Sequence, residues 1–198
     1  MNTVILTRTY KEPDFSEKEI LRYAGCKNAD EGTKKLVADC TEEARKNLIY
    51  KVCYGVFNLE IEDKNCDFGV FSVDSERLAE NLSGCNQAVI FAATVGVGID
   101  RLISKYTRIS PSRALFFQAI GAERIEALCG VFCSDIQKEY STIPKPRFSP
   151  GYGDLPLTVQ NSIFSVLSPS THIGLTLNSS LLMSPTKSVT AIIGLSKQ

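Results

Sequence analysis

The sequence predicts an α+β fold, a twisted and largely antiparallel sheet packed on long helices, within the single domain that its 198 residues allow. Three tracts carry this reading. Residues 87–96, QAVIFAATVG, form a nearly continuous apolar run, the mark of a central strand buried on both faces. Residues 48–62 and 66–73 are rich in β-branched and aromatic residues and are separated by Asp63-Lys64-Asn65, which reads as a hairpin. Residues 111–140 carry apolar residues on more than one helical face, so this helix is expected at the centre of the domain. Residues 1–198 are read as one domain, with 1–12 set apart as a candidate N-terminal extension.

The elements follow in order. Residues 13–25 open with Ser16 and Glu19 in capping-box spacing and end at Gly25, a plausible stop. Residues 29–47 place Leu36, Val37 and Cys40 on an inward helical face, with Lys34-Lys35 and Glu42-Glu43 on a solvated one. Within 48–62, Gly55 marks a candidate bulge. Residues 74–84 read as a short helix capped by Asp74. Gly96-Val97-Gly98 lacks the third glycine of a phosphate-binding turn and reads as a tight strand-to-helix connection into a helix over 97–107. Ser110-Pro111 is an N-cap followed by proline at the first helical position. Residues 142–156 form a proline-stiffened loop, and 157–167 a helix with Val159, Ile163, Val166 and Leu167 on one stripe. Residues 172–177, 179–183 and 188–194 read as strands, with a turn at Ser184-Pro185-Thr186.

Composition excludes several classes. Lysine and arginine balance aspartate and glutamate, 22 against 22, so no strongly basic surface points to nucleic acid. No apolar run reaches the roughly 20 residues that span a bilayer, and the opening residues lack a signal-peptide core, so a cytoplasmic protein is expected. The seven cysteines are scattered and form no CxxC pair, which suits reduced thiols. Cys129 and Cys133 share a helical face and read as small buried hydrophobes. The lone histidine, His172, has no acid or nucleophile beside it in sequence and reads as a strand-edge or core residue.

The segment with chemical content is the loop from Lys145 to Pro156, which contains Arg147-Phe-Ser149-Pro-Gly151-Tyr152. A guanidinium suits a carboxylate, two glycines permit close approach to a ligand, and a tyrosine ring can stack on a flat base. Together these could hold an amino-acid carboxylate near an aromatic ring. The residues alone equally fit an ordinary surface arginine and a tyrosine that plugs the core.

Arg-x-x-Pro-Gly-Tyr resembles the hallmark of the activation domain of cobalamin-dependent methionine synthase. EILRYAGCKNADE, residues 93–128, GYGDLPLTVQNSIFSVL and LLMSPTKSVTAIIG are similar to successive segments of that family's short, free-standing members, in the same order. The resemblance implies binding of S-adenosylmethionine by Arg147, Ser149, Gly151, Tyr152 and Glu126, with Arg147 on the carboxylate and Glu126 near the ligand's charged end. It implies an accessory role in a methyltransferase: the domain supports reductive remethylation of cob(II)alamin. No Asp-x-His-x-x-Gly cobalamin motif occurs here, so the corrinoid would sit on a separate protein, most simply a methionine synthase, with a flavodoxin-like electron donor. The protein would position the donor and leave the chemistry to the cofactor, with no catalytic side chain of its own. Residues 188–194 lack the aromatics that help enclose the ligand in longer family members. That departure favours an alternative, a non-catalytic docking or regulatory module for a corrinoid methyltransferase.

Overall fold

A computed structural model describes residues 4–196. Its middle layer is an antiparallel sheet of four strands in the order β1 (Leu6–Thr9), β2 (Lys51–Asn58), β6 (Cys85–Thr94) and β9 (Ser188–Ser196). Between β2 and β6 the chain forms a three-stranded meander, β3 (Glu60–Glu62), β4 (Asn65–Asp67) and β5 (Ser72–Asp74), followed by α3 (Glu76–Leu82). The other helices are α1 (Glu17–Tyr23), α2 (Glu31–Arg45), α4 (Gly98–Ile109), α5 (Pro111–Glu139), α6 (Val159–Leu167) and α7 (Pro169–Ile173). A small pair, β7 (Thr176–Leu177) and β8 (Met183–Ser184), precedes β9.

Strand alternation divides the interior into two cores. Val52 and Tyr54 of β2, Val89, Phe91 and Ala93 of β6, and Ala191 and Ile193 of β9 face α1, α2, α4 and α5. Cys53, Phe57, Ala88, Ile90, Ala92 and Ile192 face the opposite way, toward α3, α6 and α7. The predicted α+β class therefore holds, with helices on both faces of the sheet. α5 is about 45 Å long at 1.5 Å per residue and seats Phe132 against Phe91 and Tyr54, at centroid separations of 4.8 and 5.1 Å. Leu115 and Val131 of α5, which the apolar pattern counts with the core, stay exposed.

Local signals in the sequence act as read at several ends. The Ser16 hydroxyl accepts from the Glu19 amide, and Gly25 (φ +72°) closes α1 as Cys26 N–H reaches Leu21 O and Gly25 N–H reaches Arg22 O. Ser110 and Pro111 open α5. The structure corrects other expectations. Residues 6–9 of the candidate extension form β1, an edge of the main sheet, while residues 1–3 lie outside the described chain. Gly55 makes no bulge: it pairs in register with Ile90, and a side chain there would strike the Phe57 ring at 2.8 Å. The strand expected over 66–73 folds back on itself as β4 and β5 around Gly69. Ser75, not Asp74, caps α3, because Asp74 is still paired with Asn65 in the meander. His172 lies exposed on α7, not on a strand or in the core, since Pro169 starts a helix that ends at Gly174. Residues 179–183 are mostly a turn built on Asn178, whose side-chain oxygen accepts from Ser180 and Leu182 amides. Glu43 is no simple solvated residue either; it accepts from Tyr106, Lys105 and Arg113.

Candidate functional site

The loop that follows α5 is built into the fold at both ends. Its first half runs antiparallel to the outer edge of β9: Lys145 N–H donates to Gly194 O, Phe148 N–H to Ile192 O, and Ile192 N–H back to Phe148 O, at 3.0, 2.9 and 2.8 Å. Side chains alternate here as in any strand, so Phe148 joins the second core while Arg147 turns to the α5 side. There the Arg147 guanidinium donates to the Glu126 carboxylate of α5 at 2.6 Å.

The second half is a compact turn. Tyr152 N–H donates to Ser149 O, Gly151 N–H to Leu155 O, and Leu155 N–H to Tyr152 O. Gly151 and Gly153 have φ of +87° and +55°, the left-handed region that glycine enters without a steric penalty. Leu155 is sunk in the second core, and the Asp154 carboxylate accepts from Ser75 Oγ, Glu76 N and Arg77 N at the start of α3. These bonds hold the Asp154 carboxyl below its ordinary range, the Ser75 hydroxyl first among them.

The predicted site residues thus fall on three supports. Arg147 sits on the edge of β9, Glu126 on the exposed side of α5, and Ser149, Gly151 and Tyr152 on the turn. Arg147 and Glu126 meet. Tyr152 does not plug the core: it is 72% exposed, and its ring touches Phe148 edge-on at a centroid separation of 6.1 Å. Burial works against the charge on Arg147, but the hydrogen-bonded Glu126 carboxylate outweighs it and lifts the guanidinium pKa. Beneath Arg147, Cys129 is fully buried and its thiol pKa is pushed up by burial to about 12; Cys133 is shifted the same way. Both behave as small hydrophobes.

The candidate site residues thus offer one ion pair, Arg147 with Glu126, and one exposed aromatic ring, Tyr152. Larger grooves lie elsewhere, one of about 790 Å³ between the meander and α3 and one of about 820 Å³ at the C-terminal end of α5; neither is lined by Arg147, Glu126 or Tyr152. Among the described residues no group of His, Cys, Asp and Glu is arranged to hold a metal ion, and no helix is long and apolar enough to cross a membrane.

No protein-family model and no curated protein matches the chain. A solved structure does: the MetH reactivation domain bound to AdoHcy superposes with a TM-score of 0.68, covering 98% of this chain and 80% of that one at 15% identity. The fold is that of the MetH reactivation domain. Its layers explain how this chain brings Arg147 to Glu126 although neither residue announces the other. In this chain the loop after α5 runs back along the edge of β9, a strand that α5 covers, so a side chain on that edge reaches the helix directly.

One buried charge escaped sequence reasoning. The Arg124 side chain is 0% exposed and paired with Glu123 at 2.5 Å, with Pro13 and Asp14 carbonyls completing its bonds and the Phe15 ring stacked on it. No local signal separates Arg124 from an exposed arginine, because the Pro13 and Asp14 carbonyls and the Phe15 ring that enclose it come from the far N-terminal segment.

Proposed function

We propose that this chain binds S-adenosylmethionine at the Arg147 loop and serves as the activation module of a corrinoid protein carried on a separate chain. One observation carries the reading: an arginine and a glutamate of opposite charge are paired at the start of a loop that also carries an exposed tyrosine, in the fold of a domain solved with AdoHcy. The ligand's amino-acid end is a zwitterion. Its carboxylate replaces Glu126 on the Arg147 fork, and its ammonium, with the sulfonium nearby, meets Glu126. Ser149 and Gly151 offer backbone close to the ligand, and Tyr152 offers a ring face to the adenine. The residues present therefore fit the donor. A reduced corrinoid on the partner supplies the nucleophile that takes the methyl group and leaves AdoHcy. This chain holds the donor and needs no nucleophile or base. A methionine synthase is the partner favoured by the resemblance, with a flavodoxin-like protein as electron source.

Calorimetric titration with S-adenosylmethionine and AdoHcy tests the binding, with saturable heat expected below millimolar concentration. Absence of binding at millimolar ligand ends this reading. Methyl transfer from labelled donor to a cob(II)alamin-loaded partner with a reductant, with and without this chain, tests the role.

A second reading has an observation of its own. Residues of β9 from Ser188 to Ser196 are small or aliphatic and mostly buried, so this strand presents no ring to close over a ligand. A docking or regulatory module would retain corrinoid-protein binding with no response to the methyl donor, which a pull-down with and without AdoHcy distinguishes.

A further inference from the structure

The geometry points to Asp154 as the positioning residue of the Ser149–Leu155 turn: it latches the turn to the first residues of α3 and thereby sets where Tyr152 stands. The ring of Tyr152 is 72% exposed and gains its packing from Phe148 alone among the ring contacts described, so side-chain burial does not fix it. The backbone must. Upstream the backbone is fixed at Phe148 by two bonds with Ile192. Downstream it is fixed at Asp154, two residues past the tyrosine, by three bonds to Ser75 Oγ (2.5 Å), Glu76 N (2.8 Å) and Arg77 N (3.3 Å).

The latch has direction. The Ser75 hydroxyl is buried and accepts from Leu78 N–H as the cap of α3, which leaves its proton for Asp154. Glu76 and Arg77 amides are free donors of the first helical turn, otherwise without an intrahelical partner. Gly153 fits because its missing side chain leaves room for the Arg77 stem, whose Cγ would stand 3.1 Å from a Cβ. The turn is thus seated on α3 by backbone and carboxylate together, 78 residues from Glu76 in sequence.

The inference uses the proposed ligand for one of its two readouts. The first readout is amide exchange by NMR on the whole chain without ligand. In Asp154→Ala, the amides of Gly151, Tyr152 and Leu155 should exchange about tenfold faster or more, while those of β6 keep their protection. Asp154→Asn keeps an acceptor oxygen and should recover most of the protection; Glu80→Ala, an exposed charge on α3, should change nothing in the turn. The second readout is AdoHcy affinity, expected about tenfold weaker in Asp154→Ala and near normal in Asp154→Asn. Unchanged turn exchange in Asp154→Ala overturns the latch, and so does loss of protection in β6, which would make the residue a general fold determinant. If the unaltered chain binds no AdoHcy, the proposed function falls, and the exchange readout still judges the latch by itself.

Discussion

Arg147 and Glu126 lie 21 residues apart in sequence and 2.6 Å apart in space, joining the outer edge of the sheet to the long helix. Both side chains are partly exposed, 27% and 45%, so the pair contributes about 1 kcal/mol or less to stability. Under the proposed function, its consequence would lie in what a zwitterionic ligand meets: two charges already opposed, each able to exchange its partner for one end of an amino acid.

Arg147→Ala should therefore leave the melting temperature within a few degrees of the parent chain and weaken S-adenosylmethionine binding about 10- to 100-fold. 5′-Methylthioadenosine, which lacks the amino-acid end, should bind both forms alike. Calorimetry with the two ligands reads the ratio directly, and an equal loss for both would show that Arg147 acts through the turn and not on the carboxylate.

Arg124→Met should be far more damaging to the fold. It strands Glu123, 5% exposed, without its cation and frees the Pro13 and Asp14 carbonyls. Breaking a buried pair from one side costs about 3–5 kcal/mol. A thermal melt should show a fall on the order of 10 °C. Replacing Glu123 and Arg124 together by leucine should restore part of it.

Acid should loosen the turn before it unfolds the sheet. The folded pKa of Asp154 is depressed, so its contribution is fully present above the ordinary aspartate value of 3.8 and is lost as pH falls through the folded value. The groups around it are Glu76 and Arg77 on α3 and the buried Cys66 thiol on β4. Amide exchange followed downward from pH 5 should show Tyr152 and Leu155 losing protection below about pH 4, ahead of β6.

Gly98→Ala should destabilise the chain although it lies at the start of a helix, where alanine is ordinarily favourable. A Cβ at this position would drive into the backbone carbonyl of Asn47, which cannot rotate away as a side chain could. The expected cost is about 1–3 kcal/mol, read by denaturant unfolding.

Much of the fold is legible because its signals are local. The β6 run from Ala88 to Ala93 is apolar throughout and is buried throughout, and the hairpin between β3 and β4 turns where Asp63 and Lys64 stand. The strand expected over 172–177 shrinks to β7, Thr176–Leu177, for a local reason: Pro169 and Gly174 bracket a helical turn, and the apolar Ile173 and Leu175 are buried at its end without forming strand. The candidate site was legible as a loop that gathers an arginine, two glycines and a tyrosine. The Arg147–Glu126 contact was not, since it crosses from loop to helix.

By itself the sequence determined which segments could be helix or strand, where α1 and α5 begin, and that residues 142–156 would be a stiff loop open to left-handed turns at Gly151 and Gly153. These follow from caps, periodicity and backbone sterics, which act within a few residues. The tertiary structure alone decided that residues 6–9 close one edge of the sheet, that Phe148 lies along the other, that Arg124 is buried and that Arg147 reaches Glu126. Each depends on a hydrogen-bond or charge partner supplied by a distant segment, and a charged or polar group has no settled place until that partner arrives.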